Sequence, residues 1–412
     1  DEQHKVLRPA ILWNDTRTTE QCETINAVIG KEQLIAITKN KALEGFTLPK
    51  LLWVQQYEPH LFRRAKTLLL PKDYVRFAMT GALHMEYSDA AGTLLLDLER
   101  GEWSEELARK LAIDPAILPP LVQPIDEVGT ITEQFAERTG LSTSTRVFAG
   151  GADNACGAVG AGIVSTGKTM VSIGTSGVLL SFETNSTENF DGQVHYFNHA
   201  VPNSYYRMGV TLSAGHSLSW FRDVFMKDQS FEEMLAQVTS IPPGSNGLMY
   251  TPYIVGERTP YADAHIRGSF IGMDASHTTA HFTRAVMEGI VFSLRDSLEI
   301  IRQSGKDIQE IISIGGGAKN DSWLQMQADI FNATVYKLKS EQGPSLGACI
   351  IAAVGAGLFE NFDQAVAQCV QLGDKFEPIE QHVKMYEELY DVYRQVYGQT
   401  KTMNDALYKF RA

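Results

Sequence analysis

Cysteine is scarce in this 412-residue chain, and the four present, Cys22, Cys156, Cys349 and Cys369, form no C-x-x-C pair. That excludes a disulfide-stapled scaffold and a cysteine-built zinc site, and it predicts buried free thiols in a reducing, cytoplasmic setting. Positive charge is short as well: 36 Lys and Arg face 49 Asp and Glu, a net charge of −13. With no basic stretch and no aromatic-arginine ladder, neither nucleic acid nor an anionic membrane is expected as a partner. An anionic substrate gripped locally stays open. The longest mainly apolar run, 346–359, holds three glycines and falls short of the roughly 20 residues that cross a bilayer. The zinc-protease pattern HExxH and the dinucleotide pattern GxGxxG are absent, so those two chemistries lack an anchor.

What is present is an ordinary globular composition, 44% hydrophobic and 21% charged. At about 100–200 residues per domain the length predicts two or three domains. The stretch Val6 to Trp13 reads as a strand, followed by a helix from Asp15 or Thr16 through Ile29. Further helical periodicity covers 48–57, 71–79 and 104–112. Pro119, Pro120 and Pro124 break that pattern. Arg146 to Ala149 reads as a short buried strand running into Gly150-Gly151-Ala152-Asp153-Asn154 and a helix of small residues. From Lys168 the pattern turns to strands: 169–173, a Gly174-Thr175-Ser176-Gly177 turn, then 178–182, a hairpin. Strand, glycine turn and helix recur at Ile311–Asn320. These shifts predict two α/β units, 1–165 and 166–412, with a cleft between them. Tyr386, Tyr390, Tyr393 and Tyr397, at helical spacing, predict an amphipathic C-terminal helix with its aromatic stripe on the core.

Several motifs admit two readings. Gly162 to Thr169 spells G-x-x-x-x-G-K-T, yet a phosphate loop needs a strand before it and a helix after it, and here the order is inverted. The Gly174–Gly177 tip is either a plain turn or a place where backbone and hydroxyls approach a phosphate chain. Gly315–Asn320 is either a tight strand-to-helix turn or a nucleotide cap. Asp153 is either a helix N-cap or a carboxylate that takes the proton of a substrate hydroxyl. His195 and His199, four apart in a strand-like stretch without a carboxylate or thiol nearby, read as structural histidines.

Taken in order, these features resemble the FGGY carbohydrate kinases of the actin-like ATPase superfamily. Gly45-Phe46-Thr47-Leu48-Pro49-Lys50-Leu51-Leu52-Trp53-Val54-Gln55-Gln56 is similar to the first family signature. Gly268 to Met273, continuing through His281-Phe282 to Glu288, is similar to the second. The segments 11–17, Ser88 to Thr93, Gly150 to Asn154 and Gly256 to Pro260 resemble the branch acting on D-xylulose. The resemblance implies an α/β fold of two ribonuclease H-like lobes around an active-site cleft, the first lobe sugar-binding and the second nucleotide-binding. It implies ATP-dependent phosphorylation of a ketopentose, D-xylulose to D-xylulose 5-phosphate, with ATP and Mg²⁺ as cofactors, and a homodimer.

By the same resemblance Asp153 is the base, Asn154, Trp13 and Asp15 line the sugar, and Gly174 and Thr175 meet the ATP phosphates. Gly215 and Ser219, on a helix begun by Ser213, flank the nucleotide. Gly316, Gly317 and Asn320 hold its adenosine end. The family's Asp-x-Gly-Thr hairpin, whose Asp organises Mg²⁺, and its Met-His pair do not occur in these residues. The expectation is therefore that about 80 leading residues are missing, that the first lobe is truncated, that the metal-organising Asp lies outside this chain, and that the chain alone cannot turn over ATP. The alternatives are an FGGY kinase for ribulose, gluconate or glycerol, an actin-like nucleotide-binding module without catalysis, and a phosphate-loop NTPase using Lys168.

Overall fold

The computed structural model describes residues 1–187 and 190–411. The stretch Val6 to Trp13, expected as a strand, forms no ladder; Val6, Leu12 and Trp13 are exposed, and the first helix is Thr19–Val28. An apolar stretch becomes a strand only where a partner satisfies its backbone groups, and among the described residues none pairs with this one. Helices Thr47–Tyr57, Pro71–Thr80 and Glu105–Lys110 lie where periodicity placed them. Pro71–Thr80 shows why: Pro71 opens the first turn, Asp73 accepts the Leu70 N–H at 3.3 Å, and Gly81 closes the helix in the left-handed conformation.

The chain divides into two compact units that interleave in sequence. One comprises Asp1–Thr166, Phe182–Tyr206 and Gln342–Cys369; the other comprises Gly167–Ser181, Arg207–Glu341 and Val370–Ala412. Strands Gly177–Glu183 and Tyr205–Thr211 therefore each give residues to both units.

The first unit holds short strand pairs: Met85–Glu86 with Leu121–Val122, Leu96–Asp97 with Glu102–Trp103, and Glu127–Thr130 with Arg146–Phe148. Its small-residue helix, Asp153–Gly160, packs against Gly343–Gly355. Small side chains are required there, because a Cβ on Gly347 would sit 1.8 Å from the Cys156 carbonyl oxygen.

The second unit is built on a sheet in the order 372–376, 334–338, 310–315, 169–173, 177–183, 205–211, 195–198, whose last strand belongs to the first unit. Thr169–Ile173 runs parallel to Glu310–Gly315 and antiparallel to Gly177–Glu183, which is the expected hairpin. The helix Thr279–Gln303 is buried along most of its length. The C-terminal helix Glu380–Tyr408 lays Tyr386, Tyr390 and Tyr393 around Phe292, with ring centroids 5.2–6.0 Å apart, so its aromatic stripe does face the core.

All four cysteines are free, but burial holds only for Cys22 and Cys156; Cys349 and Cys369 are exposed. On the helix Gly343–Gly355 the buried side is Gly347, Ile350 and Ile351, which turns Cys349 outward. Among the described residues no helix is long and apolar enough to cross a membrane.

Candidate active site

Asp153 is the first residue of its helix, and Ala152, extended at φ −58° and ψ 153°, occupies the N-cap. Asp153 is therefore not the N-cap, though one carboxylate oxygen engages the first helical turn. Its Oδ1 accepts the Asn154 N–H at 2.7 Å and the Asn154 side-chain amide at 3.2 Å, and the residue is exposed. A negative charge at this helix end is favoured by the backbone dipole. The strand Arg146–Phe148 delivers the chain, and Gly150 makes the bend at φ +76°, a conformation that costs other residues strain.

The segment leading to Asp153 is held from several sides within its unit. Ala149 N–H donates to Asp126 O and Gly150 N–H to Pro124 O, both at 2.9 Å. Arg76 donates to Ala149 O at 2.8 Å, and Ser88 Oγ accepts the Ala152 N–H at 2.8 Å. Behind Ser88 lies a charged cluster. Glu86, fully buried, accepts from the Ser88 hydroxyl, the Ser88 N–H and the Asp89 N–H at 2.7–2.8 Å. Lys72 lies 3.0 Å from Glu86, 3.1 Å from Asp89 and 3.7 Å from Asp73, and Arg76 lies 3.1 Å from Asp73. Burial works against the Lys72 charge, yet Glu86, Asp89 and Asp73 outweigh it and hold the ammonium above its ordinary range. Burial pushes Asp89 up to about 7 despite Lys72, with Glu86 and Asp73 adding to the rise.

Trp13 and Asp15 sit elsewhere in the same unit. Trp13 is 68% exposed, and its carbonyl lies against Gly45 of the first signature. Both Asp15 oxygens take Arg17, at 2.7–3.0 Å, and these hydrogen bonds hold the carboxyl at about 2. Arg17 in turn stacks over Trp53, 4.9 Å from the ring centroid. Among the described residues no hydrogen bond, ion pair or ring contact joins Trp13 or Asp15 to Asp153 or Asn154.

In the second unit the separate glycine features meet. The exposed hairpin tip, Gly174 and Thr175, is tied to the start of the helix Gly215–Phe225: Gly215 N–H donates to Gly174 O at 2.8 Å, and Ala214 and His216 N–H donate to Thr175 O at 3.0 and 3.1 Å. A Cβ on Gly215 would lie 2.5 Å from Gly174 O, so only glycine allows this approach. The helix starts at Gly215 and not at Ser213, because the hairpin backbone occupies its first turn; Ser213 bonds Ser217 instead. Ser219 stands one turn beyond Gly215 on the same face. Glu310–Gly315 pairs with Thr169–Ile173, which brings Gly317 under Ile173, where a Cβ would be 2.7 Å from that side chain. Gly316 is exposed beside it, Gly315 N–H donates to both Glu341 oxygens at 2.9 Å, and Asn320 Oδ1 caps the helix Asp321–Phe331 through Trp323 N–H at 2.9 Å. Exposed backbone and a hydroxyl at one sheet end can hold phosphate oxygens.

Residues 1–160 match the FGGY family of carbohydrate kinases, N-terminal domain, and residues 169–356 match its C-terminal domain. The chain belongs to the FGGY family of carbohydrate kinases. A xylulose kinase of Bacillus subtilis (strain 168) is 56% identical over 411 residues, spanning 100% of this chain and 82% of that protein. Among solved structures, ligand-bound xylulose kinase from Lactobacillus acidophilus is similar at TM-score 0.94 and 25% identity, covering 99% of this chain and 82% of that one. Gluconate kinase from Lactobacillus acidophilus is similar at TM-score 0.92 and 26% identity, covering 97% and 81%. The two-domain α/β fold is thus that of the FGGY kinases, and ATP is the phosphoryl donor the family implies.

The phosphate-loop alternative fails in this FGGY kinase for a local reason. Gly162–Lys168 connects the helix Asp153–Gly160 to a strand, and Lys168 is half-buried beside Glu310 at 3.5 Å. Gly343-Pro344-Ser345-Leu346-Gly347 has the letters of a nucleophile elbow, yet it is the opening of a helix with no strand leading into the serine. His195 and His199 are buried among Phe46, Phe197, Phe182 and Tyr206, and burial lowers His199 to about 3, so they are structural.

Two groups escaped the sequence reading: the Lys72, Arg76, Glu86, Ser88 cluster, and Glu257 in the second unit. Glu257 accepts from Thr211 Oγ1 at 2.6 Å, Arg258 N–H at 2.7 Å, Ser293 Oγ at 3.0 Å and Leu212 N–H at 3.1 Å. Glu257 and, of the first group, Ser88 alone lie inside segments that served only as family markers, Gly256–Pro260 and Ser88–Thr93; Lys72, Arg76 and Glu86 precede the marker. The available signal was an unexplained acid within each marker, Asp89, which pairs with Lys72 at 3.1 Å, and Glu257.

Proposed function

We propose that the intact protein phosphorylates D-xylulose with ATP, giving D-xylulose 5-phosphate and ADP, with Asp153 as the general base. The observation that carries the base assignment is the exposed Asp153 carboxylate, which is not the N-cap and engages its helix through Oδ1 alone, at the head of a helix whose entry is tied down on several sides. The choice of sugar rests on the 56% identity to a xylulose kinase over the whole chain, since the fold alone is shared with a gluconate kinase. In the reaction the sugar's terminal oxygen bonds to the γ-phosphorus, the bond from that phosphorus to the β,γ-bridging oxygen breaks, and the hydroxyl proton passes to Asp153. Asn154 would steady the sugar beside it, and Trp13 and Asp15 would line the sugar pocket through the Arg17-ordered turn. Gly174, Thr175, Gly215 and Ser219 would meet the phosphates, and Gly316, Gly317 and Asn320 the adenosine end. Such a transition state is loose, so positioning and charge stabilisation do most of the work.

Mg²⁺ in a kinase neutralises phosphate charge. Among the described residues no group of three or more His, Cys, Asp or Glu could hold a metal ion. No described residue is assigned to the ion, and no step is routed through it. The reading also includes a sugar as the small-molecule partner, a cytoplasmic setting and a homodimer, the last tested by light scattering.

The test is a coupled ADP-release assay on the intact protein. Asp153→Ala should lower xylulose-dependent turnover by about 10²–10⁴-fold while ADP still binds, the range expected for loss of a general base. Near-normal turnover in that variant would overturn the assignment. A parallel screen with ribulose, gluconate and glycerol tests the sugar; any of them outrunning xylulose in kcat/KM would replace it.

A further inference from the structure

The cluster behind Asp153 is costly to build. Glu86 is fully buried, Asp73 is 1% exposed, and Lys72 and Arg76 neutralise them inside the unit. A cluster serving only the local core could be replaced by apolar packing. This one instead ends in two contacts on a single backbone segment: Arg76 on the Ala149 carbonyl and Ser88 on the Ala152 N–H. The direction of the chain of bonds matters. Ser88 gives its proton to Glu86, at 2.7 and 2.9 Å to the two oxygens, so a lone pair remains for Ala152. Glu86 stays an acceptor because Lys72 pairs with it and because two N–H groups already point at it. The hydroxyl therefore has one orientation, and the residue it grips immediately precedes Asp153. Space is tight as well: a Cβ on Gly151 would lie 3.2 Å from Cys156 Sγ, 3.3 Å from the Ala200 side chain and 3.5 Å from Ser88 Oγ.

We propose that Ser88, oriented by Glu86 and Lys72, is a positioning residue for phosphoryl transfer that acts through the backbone at Ala152 to hold the Asp153 carboxylate in its reactive place. The proposal rests on the reading of Asp153 as the base. Proton abstraction depends steeply on placement, and a misplacement of about 1 Å can cost 10²-fold. Ser88 itself touches neither sugar nor nucleotide in this assignment, so its removal acts on kcat and leaves ADP affinity alone.

The experiment is a double-mutant cycle on the intact enzyme, reading xylulose-dependent ADP release, the xylulose KM and ADP binding. Ser88→Ala is expected to lower kcat by about 10-fold or more with KM and ADP affinity changed by less than about 3-fold. In an Asp153→Ala background the same substitution should cost less than about 2-fold, because the group it positions is gone. Equal losses in both backgrounds, or no loss in the parent, would overturn the proposal. Should Ser88→Ala not fold, Ser88→Cys nearly keeps the shape and offers only a weak sulfur acceptor; it is expected to show the same background dependence with a smaller factor. The two readings separate cleanly. Normal turnover in Asp153→Ala removes the base assignment and this proposal together, whereas an impaired Asp153→Ala beside an unimpaired Ser88→Ala removes this proposal alone.

Discussion

Glu86 in the first unit and Glu257 in the second are both buried acids beside a glycine-rich functional segment, and they are accommodated in opposite ways. Glu86 has a cation, Lys72 at 3.0 Å, as well as hydrogen bonds. Glu257 is held by two hydroxyls and two backbone N–H groups. Burial pushes Glu257 up to about 7, with those four donors pulling the other way. An opposite charge favours the ionised form of a buried acid, whereas a ring of neutral donors does so more weakly against the same burial. The first unit has thus anchored the segment before Asp153 to an ion pair, whereas the second has anchored the end of Tyr205–Thr211 and the Gly256–Pro260 loop to an acid held by neutral donors.

Removing the cation should break the comparison most strongly. Lys72→Met leaves Glu86 buried without its counter-ion and is expected to cost about 3 kcal/mol, the lower end for a broken buried pair because Lys72 keeps some solvent contact. Urea unfolding would show it, together with a fall in turnover of at least the Ser88→Ala size; an unchanged midpoint would mean that neutral donors suffice in the first unit too.

A smaller effect should appear when the titratable acid is neutralised. The folded value of Glu257, about 7, lies above its ordinary 4.5. The folded state therefore holds a proton that the unfolded state releases between those values. Its stabilising contribution is present below about 4.5 and is lost as pH rises through about 7. Gln cannot titrate, so wild type should lose about 2 kcal/mol relative to Glu257→Gln across that window. Unfolding curves at pH 5, 6, 7 and 8 measure it. A constant difference would show that Glu257 does not change its protonation on folding within that window.

The smallest change is expected outside both clusters. Lys168→Ala removes an exposed pair with Glu310, worth about 0.5 kcal/mol or less. Nucleotide affinity should stay within about 2-fold. A large loss of ATP binding would reinstate Gly162–Thr169 as a phosphate loop.

Much of the molecule was legible locally. The hairpin 169–183, the helix that follows Asp153, the aromatic stripe of the C-terminal helix and the structural histidines all follow from periodicity, glycine placement and the surroundings of each residue. The inverted surroundings of G-x-x-x-x-G-K-T were enough to set the phosphate loop aside. The Val6–Trp13 strand failed because a strand is a property of a pair, and one segment's apolar composition says nothing about its partner. Cysteine exposure failed for a similar reason, since which face of Gly343–Gly355 is covered depends on what packs there.

Residue types, their order and their spacing were sufficient to place this chain in its family and to single out Asp153, because short-range backbone preferences and motif order are written in consecutive residues. Only the tertiary structure decided what holds Asp153, and that Gly174, Gly215 and Gly317 gather at one end of a sheet. Ser88 reaches Ala152 across 64 residues and Arg76 reaches Ala149 across 73. Contacts at that separation carry no periodic trace in the sequence; they exist only once the chain has closed the loops that bring those residues together.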